Sequence, residues 1–150
     1  MPTLVMMIHP HCPCSRASIG ELALIMAEGQ GRLDAHVVFV KPKDFSEEWE
    51  KTDLWNSVAI IPGVKASVDD GGMEARRFAS QTSGHVVLYS ARGKLLFSGG
   101  ITASRGHSGD NEGRSAIVSL LTRGEMGQRE TPVFGCPLFG ETSKDKSKDF

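Results

Sequence analysis

A short continuous apolar run, Thr3 to Ile8 (TLVMMI), and a run rich in branched residues, Ala35 to Val40 (AHVVFV), flank one helix-length segment, and this spacing constrains the fold most. A strand that is apolar at every position, not at alternate ones, has both faces covered, as parallel strands layered between helices do. Pro10 and Pro42 close the two runs. Between them Ile19, Leu22, Ala23 and Met26 recur at helical spacing from Ser15 to Glu28, and Gly29 and Gly31 stop the pattern. Strand, helix and strand therefore form the first unit of an α/β domain.

Further along, Ser46 to Ser57 reads as a capped helix carrying Trp49 and Trp55, Val64 to Val68 as a short strand, and Met73 to Ala79 as a helix after Gly71-Gly72. His85 to Tyr89 and Lys94 to Ser98 form a hairpin around the turn at Ser90 to Gly93. A polar glycine-rich loop, Gly99 to Gly113, leads into a helix from Arg114 to Thr122 with apolar Ile117, Leu120 and Leu121. After Gly124 the periodicity stops, apart from an apolar island of Phe134, Cys136, Leu138 and Phe139. The chain of 150 residues thus divides into a domain over 1–124 and an irregular tail over 125–150, with charged Lys144 to Asp149 expected to lack fixed structure. Seventeen Lys and Arg against 18 Asp and Glu produce no field that would recruit nucleic acid or an anionic membrane. No apolar run approaches the roughly 20 residues that cross a bilayer, and Met1 to Ile8 lacks the pattern of a secretory signal.

Chemistry concentrates in His9-Pro10-His11-Cys12-Pro13-Cys14-Ser15, between the first strand and the first helix. Three cysteines make no disulfide framework, and two of them separated by one residue point to redox or metal work. Each proline holds the residue before it extended, and Pro13 suits the first helical position, which makes Cys12 the N-cap. The amide dipoles there favour a thiolate, so Cys12 is the expected nucleophile. Within a regular helix, side chains two apart point roughly 200° from one another, so a Cys12–Cys14 bond requires the extended N-cap and carries strain. Cys136, in an apolar stretch of the tail, is the alternative resolving sulfur. His11 adjoins Cys12 and would favour its thiolate when protonated, while His9 is equally a polar strand cap and His36 a structural residue.

The element order, together with HPHCPCS early, SGGITASRGHSGDN late and VFGCPLF in the tail, resembles the thioredoxin-like superfamily over residues 3–123. Within it the chain is similar to the branch of TlpA-like oxidoreductases and peroxiredoxins, and to proteins labelled RedB-like. The resemblance implies a three-layer sandwich: a central mixed sheet flanked by helices, with an irregular C-terminal tail. It also implies that the first hairpin strand runs antiparallel to the strand delivering the cysteines, which places His85 at the active edge and the Gly99 to Gly113 loop on the rim. Gly84, His85, Arg105 and His107 then become substrate contacts, with Asp110 and Asn111 as rim residues or simply caps of the last helix. The sequence departs from the family at Ser15, where the resolving cysteine usually stands, and at Gly84, where a cis-proline is usual. His9 replaces the threonine of the peroxiredoxin motif.

Two functions follow. The first is a cofactor-free thiol-disulfide oxidoreductase acting on a protein disulfide or dithiol partner, with Cys12 attacking, Cys14 or Cys136 resolving, and His11 or His85 assisting proton transfer. Peroxide reduction is a weaker variant of it. The second is a Cu(I) carrier using Cys12, Cys14 and His85, similar to the Sco type but with closer cysteines. The resemblance suggests the bacterial cell envelope for a chain whose leader has been removed. Neither GxGxxG nor a P-loop is present.

Overall fold

A computed structural model describes residues 1–29, 31–41, 53–125 and 127–139. The two apolar runs are strands β1 (Thr3–Ile8) and β2 (Asp34–Lys41), joined by helix α1 (Ser15–Gly29). Helix α2 (Asp53–Ala59), strand β3 (Val64–Asp70), helix α3 (Met73–Arg77), the hairpin of β4 (His85–Tyr89) and β5 (Leu95–Gly99), and helix α4 (Glu112–Arg123) follow. The strands form one sheet in the order β3-β2-β1-β4-β5. β1, β2 and β3 are parallel, whereas β4 runs antiparallel to β1 and β5 to β4. Pairing of Met7 with His85 puts the start of β4 beside the end of β1, from which the cysteine turn departs.

Alternation along β1 explains why an unbroken apolar run was needed. Leu4, Met6 and Ile8 face the larger core, where they meet Ile19, Leu22 and Ile25 of α1, Leu54 and Val58 of α2, and Ile117 and Leu121 of α4. Met7 faces the other side with Val38, Val40, Ala75 of α3 and Leu138 of the tail. Helices therefore cover one face, and α3 with the tail covers the other, giving the three layers and mixed central sheet implied by the sequence. Trp55 stacks on Phe39, ring centroids 5.0 Å apart. The N-terminal part of the helix expected over Ser46 to Ser57, including Trp49, lies outside the described residues, as does Lys144 to Asp149.

Over residues 127–139 the tail is irregular but packed. Ser98 N–H donates to the Arg129 carbonyl at 2.9 Å, and the Thr131 hydroxyl donates to the Gly100 carbonyl at 2.8 Å, so the tail starts along β5. It then crosses to the segment before β4: Ser83 N–H donates to Cys136 C=O and Leu138 N–H to Gln81 C=O, each at 2.8 Å. Thr82 and Pro137 form an antiparallel bridge there. Gly135 permits this approach, since a Cβ on it would lie 2.3 Å from the Ser83 carbonyl oxygen. Leu138 is fully buried, and the Arg76 guanidinium lies 4.4 Å from the centre of the Phe139 ring. No helix among the described residues is long and apolar enough to cross a membrane.

Leu138 anchors the tail by filling a cavity on a sheet face that has no long helix. Leu138→Ala is expected to cost about 2–5 kcal/mol, as a buried Leu truncation does. The shift of the urea unfolding midpoint measures it, and an unchanged midpoint would show that the tail contributes nothing to the fold.

Candidate functional site

The end of β1 turns sharply into α1. Cys12 N–H donates to the His9 carbonyl at 3.1 Å, and the carbonyls of Cys12, Pro13 and Cys14 then accept from Ser15, Arg16 and Ala17 in successive i to i+3 bonds. The Cys12 carbonyl thus starts a turn that precedes the regular helix; α1 begins at Ser15, so Cys12 lies three positions ahead of it and not at the flanking cap position expected for it. The turn is braced from the segment before β4: Ser83 Oγ accepts from His9 N–H at 2.8 Å and lies 2.6 Å from Ser15 Oγ. Gly84 follows in the left-handed region at φ 98°, its N–H donating to the Met7 carbonyl at 2.7 Å. A Cβ there would sit 2.9 Å from the Ser18 hydroxyl, so glycine serves a close approach at this position.

Three sulfurs converge on this turn. Cys12 is fully buried and paired in a disulfide with Cys136, 124 residues away, with Cα atoms 5.9 Å apart. Cys136 N–H also lies 3.3 Å from Cys12 Sγ. Cys14 is a half-buried free thiol, and all three sulfurs lie within 4.8 Å of one another. The Arg105 guanidinium spans two of them, with Nε 3.1 Å from Cys14 Sγ and a terminal nitrogen 3.4 Å from Cys136 Sγ. Of the two resolving candidates, the structure pairs Cys136 with Cys12 and leaves Cys14 beside the pair.

A buried carboxylate that sequence reading overlooked holds the loop carrying Arg105. Glu21, on α1 among apolar neighbours and 2 % exposed, accepts from Gly109 N–H at 3.0 Å and Asn111 Nδ2 at 3.2 Å and pairs with Arg114. Arg114 also meets Asp110 at 2.6 Å. Asn111 caps α4 by accepting from Arg114 N–H at 2.7 Å, so the capping role foreseen for this part of the loop falls to Asn111. Ser83, Ser15 and Glu21 escaped the sequence because single polar residues in apolar or loop context carry no local signature; their partners lie 68 to 93 positions away.

The histidines divide. His9 is buried, and its pKa falls from 6.5 to about 4, mainly through desolvation and secondarily through the charge of His11, opposed by a backbone hydrogen bond. His11 is exposed and donates its N–H to His9 Nδ1 at 3.1 Å. His85 lies at the edge foreseen for it, but its Nε2 is 2.9 Å from Ser98 Oγ, and burial lowers its pKa. Among the described residues, the donor group tight enough to share an ion is Cys12, Cys14 and Cys136, without His85. His107 is exposed on the same loop as Arg105, its N–H donating to the Ser104 carbonyl at 3.2 Å.

The fold is similar to that of solved structures. A hypothetical protein from Sinorhizobium meliloti 1021 superposes with a TM-score of 0.72 at 20% identity, over 91% of this chain and 78% of that one. An uncharacterized conserved protein from Geobacillus kaustophilus gives 0.73 at 16% identity, over 91% and 76%. The N-terminal domain of PilB from Neisseria gonorrhoeae gives 0.52 at 15% identity, over 84% and 78%. No protein-family model and no curated protein matches the sequence. The five-stranded mixed sheet and these likenesses make the fold thioredoxin-like.

Two outcomes are expected. Breaking a buried ion pair strands a charge, so Glu21→Gln should destabilise by about 3 kcal/mol, read from urea denaturation, while a change near zero would remove Glu21 as the anchor of the loop. His9 titrates near 6.5 when unfolded and about 4 when folded, so the unfolded chain binds more protons between these values. Stability is then full above pH 6.5 and is lost as pH falls through about 4. Imidazole NMR checks this directly; a His9 ring titrating at 6.5 would refute it.

Proposed function

We propose that the chain is a thiol-disulfide oxidoreductase whose redox couple is Cys12 with Cys136, acting on a protein disulfide or dithiol. The observation that carries this reading is the meeting of a cysteine at a helix entrance with a second cysteine brought by a packed tail, beside a third, half-buried thiol. Inside the centre Cys12 is the nucleophile. Its sulfur lies in the turn that leads into α1 and accepts from Cys136 N–H, which favours a thiolate, and its closure on Cys136 completes the oxidised state. Neutral His9 and His85 bring no positive charge to that thiolate near pH 7, while Arg105 supplies positive charge to the neighbouring sulfurs of Cys14 and Cys136. The resemblance of HPHCPCS and VFGCPLF to RedB-like sequences within the TlpA-like and peroxiredoxin branch accords with this chemistry and with the cell envelope as its setting.

The convergence of sulfurs also favours a second reading, a Cu(I) carrier in the reduced protein. Three soft thiolates suit that ion, with Cys136 taking the place foreseen for His85. The residues fit such an ion only once the Cys12–Cys136 bond is opened.

Titration of the purified protein against redox buffers, followed by peptide mapping, decides between the readings. The expected result is one reversible two-electron couple, a Cys12–Cys136 linked peptide with Cys14 alkylated, and loss of the couple in Cys136→Ser. Stoichiometric, tight Cu(I) capture by the reduced protein without a reversible couple would instead establish the carrier.

A further inference from the structure

Resting on that oxidoreductase reading, we infer that Cys14 is the sulfur that meets the partner, and that Arg105 catalyses the internal exchange that carries the disulfide inward from Cys14 to Cys12. Access to the couple is one-sided: Cys12 has no exposed surface, so a partner sulfur cannot approach it in line, whereas Cys136 and Cys14 are both half-buried. Cys14 is half-buried, free, and within 4.8 Å of both members of the couple. Arg105 donates to Cys14 and to Cys136, so it bridges the two sulfurs between which an incoming disulfide would first be passed.

The steps balance. The Cys14 thiolate attacks a partner disulfide, forming a mixed disulfide and releasing one partner thiolate, which takes up the proton Cys14 gave up. Cys136, as a thiolate, attacks Cys14 Sγ; the Cys14–Cys136 bond forms and the second partner thiol leaves. Cys12 then attacks Cys136 Sγ as a thiolate, the Cys12–Cys136 bond forms, and Cys14 departs as a thiolate against Arg105 and takes up the proton that Cys12 gave up. The partner disulfide has gained two electrons and two protons, and two protein thiols have lost them. The end state is the observed one, with Cys12 joined to Cys136 and Cys14 free. Run backwards, the same steps reduce the protein with a partner dithiol.

Charge is shared over the attacking, central and leaving sulfurs as each exchange passes its midpoint. In the second and third steps the pair involving Cys14 and Cys136 is always two of those three sulfurs, and Arg105 donates to both. A fixed guanidinium so placed stabilises the developing charge without reorganising. The Glu21 clamp on Gly109 and Asn111 holds its loop in position, and Cys136 N–H, aimed at Cys12 Sγ, steadies the innermost sulfur.

The test uses the full chain, oxidised, and dithiothreitol as the reductant, followed by stopped-flow alkylation. Cys14→Ser should still form the Cys12–Cys136 bond and keep its equilibrium with glutathione buffers, yet be reduced at least about tenfold more slowly, because the positioned internal thiol is lost. Cys12→Ser should map to a Cys14–Cys136 disulfide, showing that the intermediate bond forms. Arg105→Gln should slow exchange similarly, and Arg105→Lys should recover part of the rate with the far-ultraviolet circular dichroism of all variants unchanged. Reduction of Cys14→Ser at the wild-type rate overturns the relay and leaves the oxidoreductase standing. Absence of any reversible couple in the wild-type protein overturns both.

Discussion

The three-sulfur centre exists because the tail lies against the segment before β4. Two backbone hydrogen bonds, Ser83 N–H to Cys136 C=O and Leu138 N–H to Gln81 C=O, set the register, and Leu138 locks it by entering the apolar cluster of Met7, Val38, Val40 and Ala75. Shifting that pairing by one residue would turn Cys136 away from Cys12 and lift Leu138 out of its site, since alternate residues of an extended segment face opposite ways. Packing energy on the far face of the sheet is thereby coupled to cysteine geometry at its edge. The same Ser83 braces the cysteine turn through His9 and Ser15, so one short segment supports both halves of the disulfide.

A second support acts through α1. Glu21 would be costly to bury without partners, and it has gathered Gly109, Asn111 and Arg114 around its two oxygens. The rim loop gains a fixed seat on the helix that begins at the cysteine turn. Arg105 therefore reaches Cys14 and Cys136 from a loop that is itself exposed. Positive charge at the sulfurs comes from this guanidinium and from the helix entrance, while burial keeps His9 and His85 neutral near pH 7.

Much of the architecture was legible in local pattern. β1, α1, β2, β3 and the hairpin fall within a residue or two of the limits implied by their apolar spacing, and the antiparallel return of β4 does place His85 beside Met7. The rim position of the 99–113 loop was implied by the thioredoxin-like resemblance, from which Arg105 was expected as a substrate contact; its bonds to the sulfurs of Cys14 and Cys136 were not foreseen. Pairing was less legible. Cys14 and Cys136 were both open as partners of Cys12, and His85 was a candidate ligand that the structure turns toward Ser98 instead. Ser83, Ser15 and Glu21 were missed, each being a lone polar residue whose value depends on a partner far along the chain.

Sequence alone determined the layered α/β plan, because an unbroken apolar strand must be covered on both sides, and it determined that the cysteine turn lies between β1 and α1, because Pro10 and Pro13 break the chain there. Tertiary structure decided which sulfurs meet. A periodic pattern records which face a residue turns inward, but the position of a tail without periodicity is set by long-range pairing and by the cavity that Leu138 fills, and neither leaves a trace in local order.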